Sequence, residues 1–284
     1  KFILLANHIK LILKSLLLTI NTRQNGKVLR KNSSYINFFC KNTLKMKPYQ
    51  NQNSSKKKQV EKMFDSISFE YDNLNRLISA GNDVKWRENI YKIAERLKPV
   101  DILDIATGTA DIALELSKIK GSKITGLDIS EKMLDVGRQK VTERSLENKV
   151  SLVSGDAENL SFSKNTFDLI SIGFGVRNFQ NLEKGLLESF RVLREGGTLI
   201  VLETSVPQNR LVKLFYLLFS RTFIPLVGFL FSKDKKAYKY LQKSAEEFPS
   251  GESFSQILKS CGFKNVQIMP LMLGASSIYV AKKN

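Results

Sequence analysis

The chain has 284 residues, 42% of them hydrophobic, which is enough to bury the core of one α/β domain. Its formal net charge of +18 is unevenly distributed. Residues 1–60 contain 13 Lys and Arg and no carboxylate, whereas the rest carries 32 basic and 27 acidic residues, a net of +5. The basic excess therefore belongs to a tail, and the remainder is not typical of a nucleic-acid-binding protein. Two cysteines and a single histidine, His8 in the tail, exclude a disulfide framework, a His-dependent nucleophile and a His-containing metal site from the folded part.

Residues 1–59 are predicted to be a basic extension, and the folded domain to span residues 60–284. Residues 2–20 are apolar but interrupted by Lys10 and Lys14, and residues 21–59 are rich in Asn, Ser, Lys and Gln, a composition typical of disorder. Three interpretations compete for residues 1–45. We favour an upstream, non-native extension ahead of Met46; the others are an organelle presequence and a surface-anchoring helix.

Regular secondary structure is predicted from Val60 onward, beginning with helices over 60–79 and 84–97. Strands and helices then alternate, with strands at 100–105, 123–128, 150–154, 167–172, 197–203, 264–269 and 276–282, and helices at 111–119, 130–143, 181–194 and 251–261. This alternation predicts a mostly parallel seven-stranded sheet with helices on both faces. The link between the last two strands is too short for a parallel crossover, so they should form an antiparallel hairpin at the sheet edge.

The segment 211–231 is rich in Leu, Phe and Ile but is broken by Lys213, Arg221 and Pro225. Charges within the span make a membrane crossing unfavourable. Two interpretations stay open: a buried helix pair, or an apolar lid or cradle for a long lipid tail.

One turn carries the clearest ligand signal. The run Asp104-Ile-Ala-Thr-Gly-Thr-Ala-Asp111 follows a predicted strand and opens a helix, and Asp128 ends the next strand, 24 residues after Asp104. Small residues let a ligand approach the backbone at Gly108, and the later acid suits ribose hydroxyls. The G-x-G-x-x-G pattern of a dinucleotide site is missing, which argues against a nucleotide-dependent oxidoreductase. A carboxylate at Asp104 suits the cationic aminoacyl and sulfonium end of S-adenosylmethionine (SAM).

Further polar residues follow the other strands, at the edge where open α/β sheets bind ligands. Asp156 can accept from an adenine amine, and Ala157 offers a backbone N–H. Arg177 and Asn178 come directly after a strand and two glycines, which favours a role in the site over a surface ion pair. The run Glu203-Thr-Ser205 closes the fifth strand and can face the same pocket.

Three segments carry a family resemblance that covers about Val60 to Lys283. They are Tyr71-Asp-Asn-Leu-Asn-Arg-Leu-Ile-Ser79 with Trp86, Phe174-Gly-Val-Arg-Asn178, and Arg191-Val-Leu-Arg-Glu-Gly-Gly-Thr-Leu199 with Glu203-Thr-Ser205. The chain resembles the ubiquinone/menaquinone C-methyltransferase family of class I, Rossmann-like SAM-dependent methyltransferases. The run from Ser79 to Arg87 looks closest to bacterial members of the menaquinone pathway.

The resemblance implies C-methylation of a polyprenylated quinol, with demethylmenaquinol as the expected substrate. It places Thr109, Asp128, Asp156 and Ala157 at cofactor-binding positions, beside Asp104 and Gly108 from the turn. The catalytic candidates are Arg177, to stabilise quinolate charge with Asn178 fixing it, and Tyr71 and Asp72, to contact the substrate or handle protons.

The alternatives are methylation of a 2-polyprenyl-6-methoxy-1,4-benzoquinol in ubiquinone biosynthesis, and a SAM-binding scaffold without catalysis. Expected partners are the quinol and the membrane surface, and a homodimer is an open alternative. The expected location is the cytoplasmic face of the membrane, or the mitochondrial matrix if residues 1–45 are a presequence. Four departures from the family pattern stand out: Leu74 for Met, Asp83 for His, Ala110 for the second glycine of the turn, and Glu195 for Pro.

Overall fold

A computed structural model describes residues 46–50, 52–232 and 234–284. Residues 1–45, with the three interpretations of the tail, lie outside the described residues. The predicted domain boundary at residue 60 falls inside a helix that begins at Lys56, and Met46, Lys56 and Gln59 are buried. Described residues between 46 and 59 therefore pack on the folded part.

The centre of the fold is a seven-stranded sheet in the order β3-β2-β1-β4-β5-β7-β6. Its strands are β1 Asp101–Ile105, β2 Lys123–Asp128, β3 Val150–Ser154, β4 Phe167–Gly173, β5 Leu193–Thr204, β6 Lys264–Leu271 and β7 Ser276–Lys282. Strands β1 to β5 are parallel, and β7 runs antiparallel to both β5 and β6. The predicted α/β class, the mostly parallel sheet and the antiparallel edge hairpin are confirmed.

Helices cover both faces of the sheet. They are α1 Lys56–Ile67, α2 Tyr71–Ile78, α3 Asn82–Glu95, α4 Asp111–Leu116, α5 Glu131–Glu143, α6 Leu182–Val192, α7 Arg210–Phe231, α8 Lys235–Glu247 and α9 Glu252–Ser260. Several begin at residues whose side chains accept from free backbone N–H groups: Ser55 caps α1, Ser130 caps α5 and Asp234 caps α8. Two apolar clusters lie on the sheet, and a third joins α1 and α2 to α7 and α8.

The structure differs from the prediction in the N-terminal helices and after β5. The helix expected over 60–79 is two helices, because residues 68–70 form a turn that no glycine or proline marks. Helix α8 was not predicted. Strand β5, predicted over 197–203, begins earlier, at Leu193.

Residues 210–231 form one continuous helix, α7, even though it contains Pro225. Only Ser220, Val227 and Gly228 of α7 are buried. The interpretation as a buried helix pair is therefore wrong. Within the described residues, α7 is the one helix whose length and hydropathy would suffice to cross a membrane.

Candidate active site

The carboxyl ends of β1 to β4 border a cleft that α1 and α2 close from the other side. Described residues that line it include Lys57, Phe64, Tyr71, Gly108, Asp128, Met133, Asp156, Ala157, Phe174 and Asn178. The turns after β1 and β4 approach closely in its lining, since a Cβ on Gly175 would lie 2.6 Å from the Cβ of Ala106. The cleft brings together six of the predicted cofactor and substrate residues: Tyr71, Gly108, Asp128, Asp156, Ala157 and Asn178.

The turn after β1 adopts left-handed backbone angles at Ala106, Gly108 and Ala110. Asp128 fixes this turn, because its Oδ2 accepts from the Gly108 N–H at 2.8 Å and its Oδ1 from the Ser130 N–H at 2.9 Å. Burial raises the pKa of the Asp128 carboxyl, and these two backbone donors oppose the rise. Asp128 therefore joins β2 to the turn while it faces the cleft.

Ala110, which replaces a family glycine, keeps the glycine-like conformation with φ of 66°. Its methyl group is fully buried and packs towards α5, where a Cβ on Gly137 would lie 3.1 Å from it. The extra methyl therefore points into the core and leaves the cofactor side of the turn open.

Asp104 is tied to the turn from within the core. Its Oδ2 accepts from the Thr107 hydroxyl and its Oδ1 from the Ser171 hydroxyl, both at 2.6 Å. Burial raises the pKa of this carboxyl to about 6. Both oxygens are engaged by protein hydroxyls, so Asp104 positions the turn.

A hydrogen bond joins Thr109, in the turn after β1, to Asp72 of α2. The Thr109 hydroxyl donates to Asp72 Oδ1 at 2.6 Å, and Lys140 Nζ lies 2.5 Å from Asp72 Oδ2. Lys140 also pairs with Asp111, at 2.7 Å. This arrangement ties α2 to the start of α4, and it shows Asp72 with both oxygens occupied.

Asp83, the position where the family has His, extends the same network. Its Oδ2 lies 2.9 Å from Arg87 and 3.0 Å from Arg76, and Arg87 also pairs with Asp111 at 2.8 Å. Asp83 therefore links α2 to α3 and, through Arg87, to the cofactor turn.

Asp156, which follows β3, pairs with a lysine from α1. Lys57 Nζ lies 2.5 Å from Asp156 Oδ2, and Asp156 Oδ1 accepts from the Glu158 N–H. The neighbouring Lys56 is buried and donates to the carbonyl oxygens of Arg177 at 3.0 Å and Phe179 at 2.8 Å. Burial lowers the pKa of Lys56 to about 8. Helix α1 therefore borders the cleft beside Asp156 and holds the loop after β4.

Arg177 forms a buried ion pair with Glu203 at the end of β5. Its Nη1 lies 2.5 Å from Glu203 Oε1 and 2.9 Å from the Phe174 carbonyl oxygen. Asn178 Nδ2 donates to the same carbonyl at 3.2 Å. Among the described residues, Arg177 Nε, Asn178 Oδ1 and Glu203 Oε2 are buried without a hydrogen-bond partner. Buried polar atoms are normally partnered, so this group has unused donor and acceptor capacity for a polar ligand.

Phenol groups surround this pair. Burial raises the pKa of Tyr71, Tyr216 and Tyr240, to about 12 for Tyr216, and each is close enough to feel the charge of Arg177. All three are therefore neutral hydrogen-bond donors near neutral pH.

Sequence patterns did not predict four of the residues near the site: Lys56, Lys57, Tyr216 and Tyr240. The lysines lie in a run that looks like part of the tail, although Ser55 at its start is a helix-capping signal. Tyr240 lies on α8, which contacts the loop of Arg177, and Tyr216 on α7 lies near Arg177. No local sequence pattern reveals either approach.

Comparison with known proteins gives one consistent result. The model of the ubiE/COQ5 methyltransferase family matches residues 51–283. A protein named demethylmenaquinone methyltransferase from Bacteroides fragilis is 41% identical over 240 residues, covering 84% of this chain and 98% of the relative. A protein of the same name from Chlorobaculum tepidum is 39% identical over 228 residues, covering 79% of this chain and 92% of the relative.

A crystal structure of a SAM-dependent methyltransferase from Thermotoga maritima, described as a possible histamine N-methyltransferase, superposes with a TM-score of 0.51. It is 19% identical and the match covers 79% of this chain and all of that one, a likeness of fold. From the family match, the relatives and the fold together, the chain belongs to the ubiE/COQ5 methyltransferase family and is a SAM-dependent C-methyltransferase.

Proposed function

We propose that this protein methylates a ring carbon of demethylmenaquinol to give menaquinol, in menaquinone biosynthesis. The names of the relatives support this substrate. The observation that carries the proposal is the buried group of Arg177, Glu203 and Asn178, which has unpaired polar atoms within a ring of phenols.

The hydrogen-bonding groups of the cleft suit SAM. Asp128 already accepts two backbone N–H groups, but a carboxylate has about four lone-pair positions, so both oxygens can also accept ribose hydroxyls. Asp156 and the backbone of Ala157 suit the adenine edge. The buried charge of Asp104 favours a cationic ligand at the turn, and a cation there would lower the raised pKa of this carboxyl.

SAM supplies an electrophilic methyl group on a sulfonium. The task of the protein is to align the quinol carbon with that methyl, exclude water and favour the deprotonated, nucleophilic quinol. Orientation alone contributes about 7–11 kcal/mol in favourable cases.

Arg177 is suited to the electrostatic part of this task. Its guanidinium is buried and held by Glu203 and the Phe174 carbonyl, so it is preorganised, and its Nε remains available. A positive charge at this place lowers the pKa of a quinol hydroxyl beside it. Asn178 shares the Phe174 carbonyl with Arg177 and presents its free Oδ1 to the same region.

Tyr71 and Asp72 contribute in different ways. Tyr71 lines the cleft and stays protonated, so it acts as a donor to the quinol oxygen and not as a base. Asp72 acts by holding α2 against Thr109. After methyl transfer, loss of the proton on the methylated ring carbon restores the aromatic ring.

We further propose that the protein acts at the cytoplasmic face of the membrane where its substrate resides, the mitochondrial matrix being the alternative location. Extraction of quinones from cells that lack the protein tests the function. Accumulated demethylmenaquinone is expected. Accumulation of a demethylated 6-methoxy-benzoquinone species would instead assign the ubiquinone reaction, and an unchanged quinone pool would favour a scaffold without catalysis.

A further inference from the structure

The outward face of α7 carries an apolar stripe, interrupted by the exposed Thr222. Leu211, Leu214, Leu218 and Phe229 are 58–67% exposed, and their spacing places them along one side of the helix. We call this set, with Phe215 and Leu226, the α7 stripe. At 1.5 Å per residue the helix is about 33 Å long. Monomeric proteins rarely expose an apolar surface of this extent without a partner.

The other face of α7 is firmly packed on the protein. Gly228 lies so close to α8 that a Cβ on it would be 2.4 Å from the Cβ of Tyr238. Arg221 pairs with Glu246 of α8 at 3.0 Å, and the Ser220 hydroxyl donates to Glu246 at 2.6 Å. Because these contacts hold one side of the helix, α7 offers a single face and does not suit a membrane-crossing segment.

A row of lysines borders the stripe. Lys235, Lys236 and Lys239 on α8 are exposed, and Lys235 Nζ lies 3.8 Å above the centre of the Phe229 ring. Within the described part of the chain none of these three lysines forms a salt bridge. We call them the α8 lysine row.

We propose that the α7 stripe and the α8 lysine row together dock on an anionic phospholipid bilayer, with α7 lying in the plane of the interface. An apolar face flanked by lysines is the surface that binds such an interface, the apolar side chains entering the acyl boundary and the ammonium groups meeting phosphates. A second copy of the chain fits less well, because a two-fold interface on the stripe would place two α8 lysine rows at its rim.

The docking surface is inferred from the side chains that α7 and α8 expose. The reason for docking at a membrane rests on the proposed function. Tyr216, on the inner side of the same helix, lies near Arg177 and Glu203. In a protein docked through α7, the proposed quinol site therefore lies one helix away from the bilayer that holds the prenyl tail of the quinol.

The experiment measures co-sedimentation of the full chain with phosphatidylcholine vesicles, with and without phosphatidylglycerol, in the absence of SAM and quinol. The protein should bind the anionic vesicles and lose affinity as salt is raised. A triple substitution of exposed stripe residues should weaken binding about tenfold or more while the thermal melt stays unchanged: Leu214→Gln, Leu218→Gln and Phe229→Gln. A matched control replaces exposed apolar residues elsewhere and should bind like the unaltered protein: Leu97→Gln, Val100→Gln and Leu187→Gln.

A second pair of variants tests the charges. Lys235→Gln, Lys236→Gln and Lys239→Gln together should remove the preference for phosphatidylglycerol, since each lysine near an anionic surface contributes about fivefold in affinity. The control is three exposed lysines elsewhere: Lys120→Gln, Lys123→Gln and Lys164→Gln.

Three results would overturn the docking proposal: no vesicle binding by the unaltered protein, stripe and lysine variants that bind as it does, or a dimer that the stripe variant converts to monomer without any vesicle binding. Vesicle binding without methylation of demethylmenaquinol would leave the docking surface standing and overturn the proposed function instead.

Discussion

Arg177 and Glu203 form an ion pair inside the protein, with Nη1 and Oε1 2.5 Å apart and both side chains at most 8% exposed. The pair joins the loop after β4 to the end of β5, at the border of the cofactor cleft. Removal of one partner of a buried pair leaves an uncompensated charge, whereas the intact pair holds the guanidinium ready for a developing negative charge.

Replacement of Arg177 should lower turnover and leave SAM affinity nearly unchanged. Loss of one preorganised donor typically costs about 10²–10³ in rate. Arg177→Lys keeps a charge but loses the planar fork, so it should retain more activity than Arg177→Ala. Single-turnover methylation of a short-chain demethylmenaquinol, with calorimetry for SAM, separates the two effects. A stable Arg177→Ala protein with a normal rate would move the charge-stabilising role elsewhere.

Glu203→Gln should both destabilise the protein and slow the reaction. The amide keeps the shape of Glu203 but leaves the Arg177 charge buried and unpaired, which costs about 3–5 kcal/mol. Urea unfolding measures the stability, and the split between kcat and SAM affinity measures the positioning of Arg177. Glu88→Gln is the control, because Glu88 pairs with Lys92 on an exposed helix face and its loss should leave the melt unchanged. Equal stability of both variants would show that the buried pair contributes nothing.

Asp128→Asn should weaken SAM binding at least about tenfold, since hydrogen bonds to a charged group are worth roughly 1.5–3 kcal/mol. Asp168→Asn is a matched control. Asp168 also accepts from two backbone N–H groups, those of Val100 and Asp101, but at the opposite edge of the sheet. Both variants should lose some stability, and only Asp128→Asn should lose SAM affinity. Calorimetry that gives equal affinities for the two proteins would remove the ribose assignment.

Asp104 should make the protein less stable as the pH rises from about 4 to 6. Its folded pKa of about 6 lies above the ordinary value of 3.8 for Asp, so the folded state binds the extra proton in this range. Stability is then greatest below the unfolded pKa and falls by about 3 kcal/mol as the pH passes through the folded one. Urea unfolding across this range should show that fall in the unaltered protein relative to Asp104→Asn. Parallel curves for the two proteins would contradict the raised pKa.

The sequence was informative where local patterns carry the signal. Each strand of the sheet is an apolar run between turn residues, so all seven were placed, and Arg177 was singled out because it directly follows a strand and two glycines. The residues around Arg177 were harder to predict, because their contacts join distant parts of the chain. Lys56 reaches the Arg177 carbonyl across 121 positions.

Two other features depend on packing that composition does not reveal. Residues 68–70 break the N-terminal helix without a glycine or proline, and the break places Tyr71 at the start of α2, facing the cleft. A buried helix pair was one of two predictions for the apolar segment 211–231, but α7 packs on one face only. Hydrophobicity alone does not distinguish a helix that is buried in the core from a helix whose apolar face is exposed.

The most direct test of the proposed reaction uses the purified full chain with methyl-labelled SAM and two reduced, short-chain acceptors. One is a demethylmenaquinol and the other a 2-prenyl-6-methoxy-1,4-benzoquinol, and mass spectrometry locates the transferred methyl. We predict a single labelled methyl on the naphthoquinol ring, and a loss of that product in Arg177→Ala that exceeds any change in SAM affinity. SAM binding without methylation of either quinol would contradict the proposed reaction, and faster methylation of the benzoquinol would assign the protein to the ubiquinone pathway.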